Sequence, residues 1–345
     1  MQREEPMRFR SLAMTAAGAA AILAGVVPGS AQTYPTKEIQ GIIQWGAGGS
    51  TDTVMRAVSP KVEEILGQSI VLKNVTGGAG AIGLNQVAAA RPDGYSLLMG
   101  AENPLIYKVM GLGTKDYGDF VAIDILARGT PILVARPGTP FDDYASMIEY
   151  VKAHPGEVKF GSTGPGGLPS VVTAMIRDVE GELPVTVIPY DGDGPALTAL
   201  QSGAIDVMPA VLGAAVESVK AEKIKALAVF ASEGVKQLPE VQAITAANEG
   251  YAKFLPWGPF FGVFAPKGTP DDVVAKLQEA FRTAAEQDSF KSLMDNRGYT
   301  LMNISGEEAQ DFMTSWQQTT AWLLQDAGLT KASPEEFGIE RAAQD

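Results

Sequence analysis

Short β-rich segments alternate with amphipathic, helix-like segments along most of the sequence. The runs predicted as buried strands are IQGIIQW, SIVLKNV, YSLLMG, VKFGS, PVTVIPY, IDVMPA and IKALAVF. Segments such as FDDYASMIEYVKAH (141–154) and TPDDVVAKLQEAFRTAAEQ (269–287) carry apolar residues at helical spacing and acidic residues in the first turn, so they predict helices. This alternation indicates an α/β protein with largely parallel sheets.

Two longer extended segments differ from the rest: FVAIDILARGTPILVARPGTP (120–140) and WGPFFGVFAPKGTP (257–270). Each ends in Gly-Thr-Pro before a predicted helix. A chain of 345 residues is long for a single hydrophobic core, and two such strands would carry it from one compact region to another. We therefore predict two lobes joined by a two-stranded hinge. The first lobe comprises residues 32–128 and 258–345, and the second comprises residues 129–257.

Residues 1–31 are predicted to be a secretory signal. Three arginines precede an apolar, alanine-rich run (12–27), and the small residues that follow predict cleavage after Ala31. The apolar run falls short of the ~20 residues that span a bilayer. Met7 is an alternative start, because the sequence after it opens a complete signal of the same kind.

Composition excludes several classes of function. The formal net charge of −13 disfavours nucleic acid and anionic membrane surfaces as partners. Cysteine is absent, so disulfides, thiolate metal sites and a cysteine nucleophile are impossible. The single histidine, His154, precedes a proline at the end of a predicted helix, and we interpret it as a solvated helix-end residue. No cofactor or metal is expected, and an exported, acidic, cysteine-free chain fits a bacterial periplasm.

Four glycine-rich turns follow predicted strands: QWGAGGSTDTVMR (44–56), NVTGGAGAIG (74–83), FGSTGPGGLPS (160–170) and PYDGDGPA (189–196). In the first turn, Ser50, Thr51 or Asp52 is expected to cap the helix that follows. The start of a helix presents unpaired N–H groups and the positive end of the helix dipole, which together favour an anion. Because ligands of open α/β sheets bind at the carboxyl ends of the strands, the four turns are predicted to converge on one cleft.

The helix after the first turn is predicted to pack against a sheet through Val54, Val58, Val62 and Ile65. Pro60 interrupts this pattern, so the helix either kinks there or ends and restarts.

The second turn also matches a dinucleotide-binding pattern. Gly78, Gly80 and Gly83 fit G-x-G-x-x-G, and Glu102 lies about twenty residues further on, where an acid would bind a ribose. A single match of this kind is weak without its full βαβ context, and an exported chain has no source of NAD.

The sequence closely resembles the Bug family, the periplasmic receptors of tripartite tricarboxylate transporters. The likeness runs from YPTKEI at Tyr34 almost to the C-terminus. It includes GAGGSTD, LGQSIVLKNVTGGAGAIG, ARPDGYSLL, HPGEVKFGSTGPGG, PYDGDGPALTALQSGAIDV, IKALAVFAS, LPEV and FAPKGTPDDVVAKL. The resemblance implies a two-lobed Venus-flytrap protein that closes on a small organic acid, usually a carboxylate, and delivers it to a membrane permease.

In such receptors, backbone N–H groups and ordered waters at the first loop hold the carboxylate, and loops of the facing lobe complete the site. With the glycine turns, the resemblance gives these candidate ligand-binding residues: Trp45, Ala47, Gly48, Gly49, Ser50, Thr51, Asp52, Thr76, Gly77, Glu102, Asn103, Ser162, Thr163, Gly164, Gly166, Gly167, Pro189, Tyr190, Asp191, Gly192 and Asp206.

Three positions depart from the family pattern. Gln44 and Trp45 stand where the family usually has Pro-Phe. Trp45 is either a larger core aromatic or a residue that borders the cleft and favours a bulky or aromatic acid. Asp191 stands where the family usually has lysine, which makes a second ligand carboxylate in that lobe less secure.

The leading hypothesis is a monomeric periplasmic receptor for a di- or tricarboxylate or an aromatic acid, with membrane permease subunits as partners. One alternative is an exported enzyme that uses Asp52 or Glu102 in the same cleft, which a strongly raised carboxyl pKa there would support. Another is a ligand-sensing adaptor for a signalling kinase.

Overall fold

The computed structural model of the chain describes residues 34–342, so the predicted secretory signal lies outside the described residues. The described residues form eleven strands: β1 (Ile39–Ile43), β2 (Ile70–Asn74), β3 (Ser96–Ala101), β4 (Phe120–Arg128), β5 (Pro131–Ala135), β6 (Lys159–Ser162), β7 (Thr186–Pro189), β8 (Val207–Val211), β9 (Lys225–Val229), β10 (Phe260–Pro266) and β11 (Thr300–Ile304).

The same residues form eleven α-helices: α1 (Ser50–Leu66), α2 (Ala81–Ala88), α3 (Tyr107–Met110), α4 (Tyr144–Ala153), α5 (Leu168–Glu180), α6 (Asp193–Gln201), α7 (Leu212–Lys220), α8 (Ile244–Ala247), α9 (Asp271–Ala285), α10 (Asp288–Arg297) and α11 (Gly306–Asp326). Short 3₁₀ helices occur at Gly78–Gly80, Asn103–Ile106, Tyr117–Asp119, Glu249–Phe254 and Pro334–Phe337. None of the described helices combines the length and the apolar character needed to cross a membrane.

The strands form two sheets with mixed strand directions. The six-stranded sheet has the order β11-β4-β10-β3-β1-β2, and the five-stranded sheet has the order β7-β6-β8-β5-β9. Strand β1 runs parallel to β2 and β3, and β6 runs parallel to β7 and β8. The pairings of β10, β11 and β5 are antiparallel. The prediction of largely parallel sheets was therefore wrong, because β5 and β10, by which the chain enters a sheet after crossing, run opposite to both of their neighbours, and β11 also pairs antiparallel with β4.

The predicted strands and long helices are confirmed in type and approximate position. All seven predicted β-rich runs contain a strand, and the two quoted helical segments contain α4 and α9. Apolar side chains of the five-stranded sheet and its flanking helices form a core that includes Ile132, Met208 and Leu212.

The two long extended segments are the places where the chain passes between the sheets. Segment 120–140 divides into β4 of one sheet and β5 of the other, and segment 257–270 contains β10. The segments meet where the N–H of Gly129 donates to the carbonyl of Pro259 (2.8 Å). Gly258 has no room for a side chain, because a Cβ there would lie 2.0 Å from the Gly129 oxygen. Two adjacent backbone segments thus connect the sheets, as predicted for a hinge.

Helix α1 is continuous through Pro60. Val54, Val58 and Val62 are fully buried, as predicted, but Ile65 is 40% exposed and Leu66 is buried in its place. The buried positions recur every four residues along the face that packs on α9, so the position after Val62 falls on Leu66.

Candidate ligand-binding site

A cavity lies between the two sheets, where the carboxyl ends of several strands meet the first turns of helices. Its empty volume, including the mouth that opens to solvent, is about 390 Å³. It is lined by Trp45, Ser50, Thr51, Ala101, Glu102, Asn103, Thr163, Leu168, Pro169, Gly192, Asp193, Pro209, Ala210, Val211, Pro259 and Phe261.

Helices α1, α5 and α6 all begin at this cavity. Their N-cap residues are Gly49, Gly167 and Gly192, and none of the three provides a side-chain cap. The backbone N–H groups in the first turn of such a helix depend on partners from elsewhere. Three helix starts with glycine N-caps therefore direct backbone donors and positive dipole ends at the cavity, and at α1 the carboxylate of Asp193 already accepts from the first of these N–H groups.

Asp52 supports the first loop from inside α1. Ser50, Thr51 and Asp52 all belong to the helix, so the prediction that one of them is its N-cap was wrong. The carboxylate of Asp52 accepts from the N–H of Gly48 (3.0 Å), from Nε of Arg56 (2.8 Å) and from Nδ2 of Asn74 (2.9 Å). It holds the loop in place and does not line the cavity.

Asp193, at the start of α6, reaches across the cavity to the start of α1. Its Oδ1 accepts from the N–H of Ser50 (3.0 Å), and its Oδ2 accepts from the Ser50 hydroxyl (2.5 Å). Burial raises the pKa of Asp193 in spite of these hydrogen bonds. The sequence analysis did not select this residue, although a second acid in PYDGDGPA was a visible signal.

The loops after β1 and β2 are both in direct contact with the loop after β7. The N–H of Gly46 donates to the carbonyl of Asp191 (2.8 Å), and the Thr76 hydroxyl donates to the Asp191 carboxylate (3.3 Å). A Cβ at Gly194 would lie 2.5 Å from the Ala47 carbonyl oxygen, so the approach of α6 to the first loop requires glycine there. The two sheets are thus held in a closed arrangement.

Glu102 and Asn103 follow β3 and are only 3% and 2% exposed. Burial, and next the charge of Asp193, raise the pKa of Glu102 to about 8, although its own backbone N–H opposes the shift. With its amide oriented to satisfy both neighbours, Asn103 donates to Glu102 Oε1 (3.2 Å) and accepts from the N–H of Gly167 (3.1 Å). Asn103 therefore connects the buried carboxyl group to the start of α5.

Trp45 is both a buried aromatic and a wall of the cavity, since it is 7% exposed and lies among the lining residues. The candidates that the structure brings to the lining are Trp45, Ser50, Thr51, Glu102, Asn103, Thr163 and Gly192. The apolar lining from Leu168, Pro169, β8 and β10 was not predicted, because buried strand residues carry no sequence signal that separates a cavity wall from the core.

The other candidates lie outside the lining: Ala47, Gly48, Gly49, Asp52, Thr76, Gly77, Ser162, Gly164, Gly166, Gly167, Pro189, Tyr190, Asp191 and Asp206. Many of them form the loops that carry the lining residues. Asp206 is different, because its carboxylate accepts from Nε of Arg136 (2.7 Å) and from the N–H of Lys159 (2.8 Å). The hydrogen bond from Lys159 holds the start of β8 beside β6, and the structure does not bring Asp206 to the cavity.

A sequence model described as the tripartite tricarboxylate transporter family receptor matches residues 54–329. The chain belongs to this receptor family. The receptor is 30% identical to the protein BugT of Bordetella pertussis over 309 residues, which cover 87% of this chain and 92% of BugT.

Solved structures agree with this assignment. The receptor is similar to the periplasmic binding protein BugD, with a TM-score of 0.81 and 27% identity over 87% of this chain and 100% of BugD. It is also similar to MatC from Rhodopseudomonas palustris with bound malate, with a TM-score of 0.75 and 26% identity over 83% of this chain and all of MatC. The receptor therefore has the two-lobed α/β fold of periplasmic binding proteins, as predicted.

Proposed function

We propose that the receptor captures a small organic carboxylate between its two sheets in the periplasm and delivers it to the membrane permease of a tripartite tricarboxylate-type transporter. The observation that carries this proposal is the cavity at which α1, α5 and α6 begin, each with a glycine at its N-cap position. Backbone N–H groups bind anions at contact distance, while the field of a net charge of −13 is screened over roughly 8 to 10 Å of saline. The related MatC, whose structure contains malate, supports an organic acid as the ligand class.

The lobes in this proposal are residues 32–128 with 258–345, and residues 129–257. Closure takes place about the segments that meet at Gly129 and Pro259. Leu168, in the first turn of α5, offers a backbone donor to the carboxylate, and Thr51, in the first turn of α1, lines the same cavity from the other lobe. The receptor acts as a monomer, and its closed form is the one that the permease recognises.

A thermal-shift screen of the purified receptor tests this function. The panel contains aliphatic dicarboxylates, tricarboxylates, aromatic acids, amino acids and sugars. An acid present at 100 times its dissociation constant should add roughly 2.7 kcal/mol of stability. A shift with sugars alone would overturn the carboxylate assignment.

Trp45 provides a second readout. It lines the cavity, whereas Trp257, Trp316 and Trp322 do not. Ligand that raises the melting temperature should therefore also change the fluorescence of the receptor, and Trp45→Phe should remove most of that change. A fluorescence change of full size in the variant would place the ligand elsewhere.

One observation favours a second candidate, an exported enzyme. Glu102 has the raised pKa, about 8, that suits a general acid or base. Burial accounts for most of this shift, and the other carboxylate of the cavity is engaged by Ser50. Incubating the receptor with each stabilising ligand and following the ligand by NMR separates the two functions, because a receptor returns its ligand unchanged.

A further inference from the structure

The polar side of the cavity is acidic. Glu102 and Asp193 line it, and none of the lining residues is a lysine, arginine or histidine. Among residues 34–342, neither carboxylate takes part in an ion pair. A cavity that is to hold an anion thus contains two carboxyl groups and no compensating side-chain cation.

Asp193 occupies part of the anion site that α1 offers. The first backbone N–H of the helix, at Ser50, already donates to this carboxylate, and so does the Ser50 hydroxyl. A carboxylate of the ligand would have to displace Asp193 from Ser50 or lie against its charge. Like charges in contact are strongly unfavourable in a dry site.

Glu102 also disfavours an anion in the cavity, and it interacts electrostatically with Asp193. Its side chain is almost completely buried, and among the described residues its carboxylate has only the Asn103 amide of another residue as a hydrogen-bond partner. Asp193, Tyr107 and Tyr117 are the titratable groups around it, and none of them is cationic. An ionised Glu102 therefore needs a positive charge from the ligand.

Of the three helix starts at the cavity, only that of α5 has no acidic residue in its first turn, so a ligand carboxylate is best accommodated there. This turn is joined to Glu102 through Asn103, and it brings Leu168 to the lining beside the hydroxyl-bearing Thr163. A second carboxylate on the ligand would have to face the two acids. A protonated amine in that position would form charge-assisted hydrogen bonds with both.

We propose that the cleft is built for a ligand with one carboxylate and a protonated amine, in which Glu102 and Asp193 bind the amine and the start of α5 binds the carboxylate. This inference rests on the proposed function and specifies its ligand class. It assigns Glu102 and Asp193 as the residues that select amino-carboxylates over dicarboxylates.

Four five-carbon acids test the proposal by isothermal titration of the purified receptor: glutarate, pentanoate, 5-aminopentanoate and 2-aminopentanoate. At least one of the amino acids should bind about tenfold or more tightly than both glutarate and pentanoate, because charge-assisted hydrogen bonds are the strong ones. Glu102→Gln should remove this advantage. Asp124→Asn is the matched control, since Asp124 is an equally buried carboxyl group outside the cavity.

The pH dependence of ligand affinity provides an independent test of the role of Glu102. A bound amine requires ionised Glu102, so its binding at pH 7 should release a proton to the buffer, and its affinity should rise from pH 6 to pH 8. Glutarate bound through a protonated Glu102 would show the opposite trend, weakening as the pH rises.

Tighter binding of glutarate than of either amino acid would overturn this proposal and leave the proposed function standing. Undiminished amino-acid preference in Glu102→Gln would overturn the role of Glu102. If none of the four acids binds at millimolar concentration, the proposal also fails. A response to tricarboxylates or aromatic acids would then preserve the proposed function, and no response to any acid would remove both.

Discussion

Glu102 and Asp124 are buried carboxyl groups that keep their protons to unusually high pH. Burial is the main cause in both cases and raises each pKa to about 8. The two side chains differ in place: Glu102 lines the cavity, whereas Asp124 lies in β4 with both oxygens buried and without a hydrogen-bond partner among the described residues. Both should make the free energy of unfolding depend on pH, but only Glu102 is placed to affect ligand binding.

The first prediction concerns stability as a function of pH. The unfolded chain releases the Glu102 proton near its ordinary pKa of 4.5, while the folded protein retains it to about 8. Between these values the folded state binds more protons, so the free energy of unfolding falls as pH rises. Glu102→Gln should remove a loss on the order of 1 kcal/mol per pH unit across this window.

Chemical denaturation at pH 5, 6, 7 and 8 measures this slope. Asp124→Asn should flatten the slope in the same way, because its carboxyl group titrates in the same window. An unchanged slope in Glu102→Gln would mean that water reaches Glu102 in solution.

The candidate site shows which binding-site residues the sequence predicts and which it does not. The glycine turns correctly placed Thr51 and Thr163 at the cavity, because glycine, strand end and helix start are local signals. Asp193 was missed and Asp206 does not reach the cavity, although both are acids of the same segment. Their roles depend on partners 143 and 70 residues away, and no local pattern encodes such pairings.

At the scale of elements, strand positions were predictable and strand partners were not. A buried apolar run reports that a strand exists, but its direction depends on how the chain returns to the sheet. Strand β10 illustrates this, since its run was visible while its antiparallel place between β3 and β4 was not.

The crossing between the two extended segments provides a prediction at this scale. Gly258→Ala places a methyl group where the Gly129 carbonyl lies, and backbone atoms on both sides must shift. We expect a loss of roughly 1 to 3 kcal/mol in stability, typical of overpacking. Thermal unfolding measures the loss, and Gly113→Ala serves as the control because a Cβ there meets nothing within 4 Å. Equal melting temperatures for the two variants would contradict tight packing at the crossing.

At the scale of the whole molecule, the contact between Gly194 and the first loop sets how far the two sheets can close. Gly194→Ala would place a Cβ within 2.5 Å of the Ala47 carbonyl oxygen. The expected result is a receptor that folds normally and stays open. Its radius of gyration from small-angle scattering should remain at the ligand-free value when a stabilising acid is added, and its affinity should fall at least about tenfold.

The wild-type receptor and Gly113→Ala should contract with the same ligand. Contraction of Gly194→Ala to the wild-type radius would show that closure does not need this approach.

The order of strands in the six-stranded sheet also affects the order in which the two sheets fold. Strand β10 is buried along its whole length between β3 and β4, yet all five strands of the other sheet are synthesised before it. The strands of that other sheet are contiguous in the chain and can pair as soon as they emerge, whereas β3 and β4 wait for their common neighbour. The middle of the polypeptide should therefore acquire amide protection before its beginning does. In refolding of the complete chain the same order is expected, because pairs of strands close in sequence form before distant ones, and pulse-labelled hydrogen exchange measures it.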